Sequence, residues 1–255
     1  MERQEILQTI GSGERASDTT DYSLETFGLG GVDCPYCGNT GQIVERGQGI
    51  EIRARECVCM NARRSMRAIR ESGMSDMLRR YTLDNYQTPD SERLSIKKKA
   101  REYIDAPEGW FYIDGRSGSG KTHICTAICG ELIKRGKRVL YMLWRDESTK
   151  LKGGVTDREW YEQRIEKLKT IPVLYIDDFW KARRAEERTH VTDGDVNLAF
   201  EILNYRYNDR KLRTIISTEL SLDEIIEIDE ATGGRIYERA RGFVKAAPPD
   251  NWRLR

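Results

Sequence analysis

Gly115-Arg116-Ser117-Gly118-Ser119-Gly120-Lys121-Thr122 fits the pattern G-x-x-x-x-G-K-[ST] at each fixed position and follows the apolar run Trp110-Phe111-Tyr112-Ile113. Placed between a strand and a helix, such a loop wraps phosphates with its backbone N–H groups. Its lysine adds a point charge to the outer phosphates, and its hydroxyl residue ligates magnesium. The helix is legible, because the stretch from Thr122 to Lys134 sets Ile124, Ala127, Ile128 and Leu132 at helical spacing. The motif therefore predicts an α/β fold, a parallel sheet flanked by helices, that takes ATP or ADP with Mg2+. The candidate nucleotide contacts are Gly115, Ser117, Gly118, Ser119, Gly120, Lys121, Thr122 and His123, with Lys121 also catalytic and Thr122 a magnesium ligand.

A chain of 255 residues has room for one such domain and a smaller module. With 43 basic against 42 acidic side chains, bulk charge favours no partner, and any nucleic-acid surface must be local. Met1 to Thr20 has no apolar core of signal-peptide length, and no segment approaches the roughly 20 apolar residues that span a bilayer. The expectation is a cytoplasmic protein with no membrane partner. In a reducing compartment six cysteines point to metal binding rather than disulfides.

Four of them cluster as Cys34-x-x-Cys37 and Cys57-x-Cys59 around two strand-like runs, Gln42 to Arg46 and Ile50 to Arg55, separated near Gly47 and Gly49. This is a zinc ribbon in outline. Four thiolates across a hairpin can converge on Zn2+, which would stabilise a module too small for its own core. Cys125 and Cys129, four apart on the helix after the loop, read as buried packing. The chain thus divides into a flexible segment 1–33 with a short helix at Glu2 to Ile10, a zinc-binding module 34–59, a basic helical linker 60–88 and an ATPase domain 89–255. In the linker Arg63, Arg64, Arg67, Arg70, Arg79 and Arg80 alternate with Met66, Ile69, Met74, Met77 and Leu78 around a break at Gly73. Such a helix offers either a solvated face over a packed stripe or a partner surface.

Further along, Arg138 to Leu143 reads as a second strand, and Val173-Leu174-Tyr175-Ile176-Asp177-Asp178 as a third that ends in paired carboxylates. Asp177 is placed to hold magnesium and Asp178 to orient or deprotonate the attacking water. A strand between the loop strand and this one is the mark of the additional-strand class of ATPases and argues against a Ras-like order. After a helix at Asp195 to Asp209, the strand Thr214 to Glu219 has a polar end, and Thr218, with Ser217 and Glu219, could touch the γ-phosphate or simply cap the strand. Arg235 and Arg239, one helical turn apart, could reach a neighbouring subunit's γ-phosphate. Two basic clusters, Lys150, Lys152 and Arg158, then Lys181, Arg183 and Arg184, could track single-stranded DNA or be merely solvated. Trp144, Trp160 and Trp180 read as core.

The cysteine module, Thr82-Leu83-Asp84-Asn85-Tyr86, Tyr175-Ile176-Asp177-Asp178-Phe179, Asn204-Tyr205-Arg206-Tyr207, Ile216-Ser217-Thr218-Glu219-Leu220 and the Arg235/Arg239 helix together resemble the AAA+ ATPases of the initiator and loader clade. They are most similar to the DnaC-type replicative helicase loaders of phages and Gram-positive bacteria. The resemblance implies a slow, DNA- or partner-stimulated ATPase whose N-terminal region binds the replicative ring helicase. It also implies a homo-oligomer, joined through a trans arginine, that holds single-stranded DNA and places the helicase on it. Two positions depart from that pattern: Glu219 stands where many AAA+ proteins have asparagine, and Asp178 where many have glutamate. The short tail leaves no room for the usual C-terminal helical lid. A transposition-helper ATPase of the IstB type, acting on duplex DNA with a transposase, shares the same core. An adaptor using ATP as a switch with negligible turnover is the reading from a different class.

Overall fold

The computed structural model describes residues 34–46, 52–71, 74–181 and 191–249. The helix expected at Glu2 to Ile10, Gly47, Gly49, Gly73, Arg183 and Arg184 lie outside them. The first elements among the described residues form an antiparallel hairpin, β1 (Gln42–Arg46) and β2 (Ile52–Glu56), in which Gln42 pairs with Glu56. Two helices follow, α1 (Val58–Glu71) and α2 (Ser75–Arg80), on either side of the break expected at Gly73. Next comes α3 (Ser91–Asp105), whose N-terminus is capped by Asp90 accepting from the Arg93 N–H. That side-chain acceptor satisfies one of the N–H groups that a helix start leaves without a partner.

The main domain then runs β3 (Phe111–Asp114), α4 (Lys121–Lys134), β4 (Val139–Leu143), α5 (Trp144–Gly153), α6 (Arg158–Thr170), β5 (Val173–Phe179), α7 (Asp193–Asn208), β6 (Arg213–Thr218), α8 (Leu222–Ile228), α9 (Glu230–Ala240) and β7 (Val244–Ala246). The sheet order is β4-β5-β6-β3-β7, with all neighbours parallel. It is the additional-strand order expected from the sequence. In space, however, the strand between β3 and β5 is β6, while β4, which lies between them in sequence, forms an edge. The other edge, β7, is too short to carry a readable period and was not expected.

Alternation along the strands divides the interior into two layers. Phe111, Ile113, Tyr175 and Ile215 face α3 and α4, where Tyr103, Ile124, Ile128 and Leu132 pack on them. Trp110, Tyr112, Leu174, Ile176 and Ile216 face the other way, onto Leu198, Ile202 and Leu203 of α7 and Ile236 of α9. Coverage on both faces explains why these strands read as continuous apolar runs. Trp144 and Trp180 are buried as expected, but Trp160 is 39% exposed and lies across Gly154 at the surface.

The cysteine module is not set apart from the core. Cys34, Cys37, Cys57, Cys59, Ala62, Met74 and Leu78 belong to the same buried cluster as Ile124 and Ile128 of α4. Leu78 lies over Gly130 and Val58 over Gly136. A two-stranded hairpin cannot enclose an apolar core of its own, so the module and the helices after it bury their apolar sides on the α4 layer of the main domain.

Candidate nucleotide site and cysteine cluster

Gly115, Gly118 and Gly120 have φ of 134°, 81° and 95°, backbone that a side chain would strain, and Gly120 immediately precedes α4. The loop therefore turns its N–H groups and the helix start toward one side. On that side is a cavity of about 360 Å³ whose walls include Ser117, Gly118, Ser119, Gly120, Lys121, Thr122, His123, Asp178 and Lys181. Lys121 is buried and donates to the carbonyls of Gly115 at 2.7 Å and Arg116 at 3.0 Å. Burial pulls its pKa down, opposed by the carboxylates of Glu219, Asp178 and Asp177.

The loop and the Asp177 strand meet as expected. Thr122 Oγ1 lies 3.4 Å and 3.5 Å from the two carboxylate oxygens of Asp177. Asp177 is buried, and its carboxylate accepts from the hydroxyls of Ser217 and, at 3.2 Å, Tyr141. Burial raises the pKa of this acid, while hydrogen bonds from Ser217, Tyr175 and Tyr141 act against the rise. A hydroxyl and a carboxylate so close, at the start of the helix that follows the phosphate loop, fit a hard divalent cation such as Mg2+.

Asp178 stands in a β-bulge, where the β5 to β6 register shifts between Ile176 and Phe179, and its φ is 52°. Aspartate enters this left-handed region more readily than glutamate, which gives a local reason for the shorter acid at this position. Its carboxylate pairs with Lys181 Nζ at 3.2 Å, and Lys181 pairs again with Glu219 at 2.9 Å. Lys181, grouped in the sequence with DNA-tracking residues, thus belongs to the nucleotide cavity. Thr218 needs the opposite correction: its hydroxyl donates to the Phe179 carbonyl at 2.7 Å and accepts from the Leu220 N–H at 3.1 Å, fully buried and outside the cavity wall. Strand alternation sends Ser217, not Thr218, toward Asp177.

A wall of the cavity went unread. Tyr81, Asn85, Tyr86, Gln87 and Arg93, ahead of the first core strand, line it. His123 ties this segment to α4, stacking on Tyr81 at 4.8 Å, meeting Tyr86 edge-on at 5.1 Å, and placing Nε2 3.1 Å from the Thr82 carbonyl and 3.0 Å from Asn85 Oδ1. Burial lowers the His123 pKa, against the hydrogen bond to the Thr82 carbonyl, which raises it. The signal available in the sequence was the pair of tyrosines flanking Asn85, which has no period to mark it.

Arg235 and Arg239 do not line the cavity. Both face α7 from α9: Arg235 donates to Asn204 Oδ1 at 3.0 Å and lies 4.8 Å over the Phe200 ring, and Arg239 donates to the carbonyls of Tyr207, Arg210 and Leu212. In the first basic cluster Lys152 pairs with Asp195 and Arg158 with Glu162.

The four N-terminal cysteines do converge. Their Sγ atoms all lie within 4.8 Å of one another, with Cys34 and Cys57 at 3.8 Å and Cys37 and Cys59 at 3.6 Å. A zinc tetrahedron with Zn–S near about 2.3 Å has edges of about 3.8 Å, so the set fits Zn2+. A tight turn shapes the first half, with Gly38 at φ 52° and Asn39 at φ 70°, where Asn39 Oδ1 accepts from the Cys34 N–H. Burial raises the Cys57 thiol, whereas at Cys37 burial is outweighed by the Gly41 backbone and the neighbouring thiols, which bring it to about 7. Cys125 and Cys129 are fully buried on α4, and burial raises both thiols, as packing residues.

A five-stranded parallel sheet in this order, with Thr122 of the loop meeting Asp177 across the intervening β6, defines an ATP-binding protein of the AAA+ type. The chain belongs to the IstB-like ATP binding protein family, whose model matches residues 51–230. It is 29% identical over 223 residues to the phage-like element PBSX protein XkdC of Bacillus subtilis (strain 168), covering 83% of this chain and 81% of that protein. It is 24% identical over 188 residues to the replicative helicase loader DnaC of Escherichia coli (strain K12), covering 71% of each. The crystal structure of the DnaC helicase loader superposes with a TM-score of 0.55 at 22% identity, covering 68% of this chain and 100% of that one, which shows a shared fold. No helix among the described residues is long and apolar enough to cross a membrane.

Proposed function

We propose that this protein is an ATP-dependent loader that binds a replicative ring helicase and single-stranded DNA and places the helicase on DNA at the start of replication. The observation that carries the reading is the meeting of Thr122 with Asp177 beside Lys121, Asp178 and the end of β6. Likeness to a replicative helicase loader over 71% of the chain supplies the biological direction. In this reading the loop N–H groups and Lys121 hold the phosphates, Thr122 and Asp177 hold Mg2+, and Asp178 orients the attacking water and takes its proton. Magnesium, when bound, offsets charge on the phosphate oxygens. Cys34, Cys37, Cys57 and Cys59 hold Zn2+, and the chain works as a homo-oligomer.

Capture tests the reading. Tagged protein mixed with the replicative helicase of its source organism should retain it in an ATP-dependent manner, and the complex should retain single-stranded DNA, while Lys121→Ala should lose the nucleotide response. The family model's description favours a second reading, the transposition helper of the IstB type. Failure to retain the helicase, together with ATP-dependent retention of duplex DNA and a transposase, would establish that alternative. Helicase retention without single-turnover hydrolysis would leave an adaptor that uses ATP only as a switch.

A further inference from the structure

The segment after β5 carries two left-handed residues within three positions, Asp178 at φ 52° and Trp180 at φ 53°. For a tryptophan this backbone is unfavourable and persists only where surrounding contacts fix it. Those contacts are present. Trp180 is buried, stacks on Phe179 at 4.7 Å with an interplanar angle of 17°, and points its indole N–H at the Asp195 carbonyl, 3.4 Å away. The Lys181 N–H closes the turn onto the Asp178 carbonyl at 3.0 Å. The anchored turn folds Lys181 back into the nucleotide cavity, where Nζ lies 3.2 Å from both Asp178 carboxylate oxygens and 2.9 Å from Glu219.

We propose that Lys181 is a positioning residue for ATP hydrolysis: its ammonium bridges Asp178, at the end of β5, to Glu219, just beyond β6, and so fixes the direction in which the water-orienting acid faces the cavity. The inference rests on the reading of Asp178 given above. With its side chain 35% exposed, Lys181 contributes little to folding through these pairs, so the consequence of the bridge is geometric. Burial disfavours the ammonium, but Glu219 and Asp178 outweigh it and the group stays charged. Take the cation away and two carboxylates at adjacent strand ends, both within reach of the Lys121 charge, lose the ammonium that lies between them, and they turn apart. Glu219 at the strand end then has a role of its own: it is the anchor for Lys181.

The test uses the full chain with Lys181→Met, Lys181→Arg, Glu219→Gln, the Lys181→Met/Glu219→Gln pair and Asp178→Asn. Steady-state and single-turnover hydrolysis of Mg-ATP, affinity for a fluorescent ADP analogue and thermal unfolding are measured for each. Lys181→Met should lower kcat by about 10- to 100-fold, the scale of a misplaced catalytic group, with KM and ADP affinity within about twofold of the parent. Lys181→Arg should recover most of the loss, and the pair should be no worse than Lys181→Met alone, because the two residues act through one bridge. An unchanged or increased kcat in Lys181→Met, additive losses in the pair, or a parallel fall in ADP affinity would overturn the proposal. Asp178→Asn separates the two levels: if it leaves hydrolysis intact the reading of the site fails, whereas if it abolishes hydrolysis while Lys181→Met does not, only the bridge fails.

Discussion

Arg239 donates to three backbone carbonyls, those of Tyr207, Arg210 and Leu212, which are left around the end of α7 and the approach to β6. Arg235, one turn earlier, donates to a side-chain amide and to the Ala231 carbonyl of its own helix, and its guanidinium lies over the exposed Phe200 ring. Removing the first deletes charge-assisted hydrogen bonds that tie the end of α7 to the approach to β6, each worth about 1.5 to 3 kcal/mol, although the Leu212 carbonyl keeps the Trp110 indole N–H; removing the second leaves groups that water or the helix can satisfy. Arg235 is therefore the better candidate for reaching another subunit's γ-phosphate. Arg235→Ala should keep the denaturation midpoint and lose turnover, and mixing it with Lys121→Ala should restore activity wherever an intact loop meets an intact arginine. Arg239→Ala should lower the midpoint. Absence of recovery in a mixture shown to co-assemble would end the trans assignment for Arg235.

At the scale of elements, α8 and α9 close against one another through a glycine. A Cβ on Gly233 would lie 2.8 Å from Ile226 Cα and 2.9 Å from its backbone nitrogen, whereas a Cβ on Gly234 would meet nothing within 4 Å. Backbone cannot move aside as a flexible side chain can. Gly233→Ala should cost about 1 to 3 kcal/mol through overpacking, and Gly234→Ala should gain up to about 1 kcal/mol from helix propensity, both read from urea denaturation. Equal effects would mean that the two helices are not held in this contact. The same scale shows what could be read in advance. The loop was legible as a fixed motif, and the strands carrying Val139 to Leu143 and Val173 to Phe179, with α4, because they are apolar runs bounded by turn residues. Three-residue β7 was not, nor was the wall from Tyr81 to Gln87, whose contacts depend on α4 folding beside it. Of the two roles the sequence left open for Thr218, the structure gives the cap and not the γ-phosphate contact, because a one-residue step along a strand reverses the face and β6 ends one residue before Glu219. The bulge at Asp178 put Lys181 in the site, and no periodicity announces a bulge.

For the whole molecule, the decisive contact is between the cysteine cluster and α4. The sequence reads as a metal module joined by a linker, an arrangement in which metal loss would unfold the module and spare nucleotide binding. The folded chain instead carries Cys34, Cys37, Cys57 and Cys59 in one buried cluster with Ile124, Cys125, Ile128 and Leu132, on the helix that begins at Lys121. Alongside it, Leu78 of α2 packs over Gly130, and His123 bonds the segment that follows α2. Ligation of structural zinc in small peptides is worth about 10 to 16 kcal/mol, as much as the whole stability of a typical domain at about 5 to 15 kcal/mol, so its loss should not stay local when the cluster shares the core. Elemental analysis should find one zinc per chain. Chelation should shift a single cooperative unfolding transition of the whole chain to lower temperature and weaken ADP binding by about fivefold or more, within the usual range of coupling between sites. Cys57→Ser should reproduce both effects. A chain that keeps its ADP affinity after zinc removal, and unfolds in two separate steps, would restore the autonomous module; a folded chain that never held zinc would reduce the cluster to packed thiols.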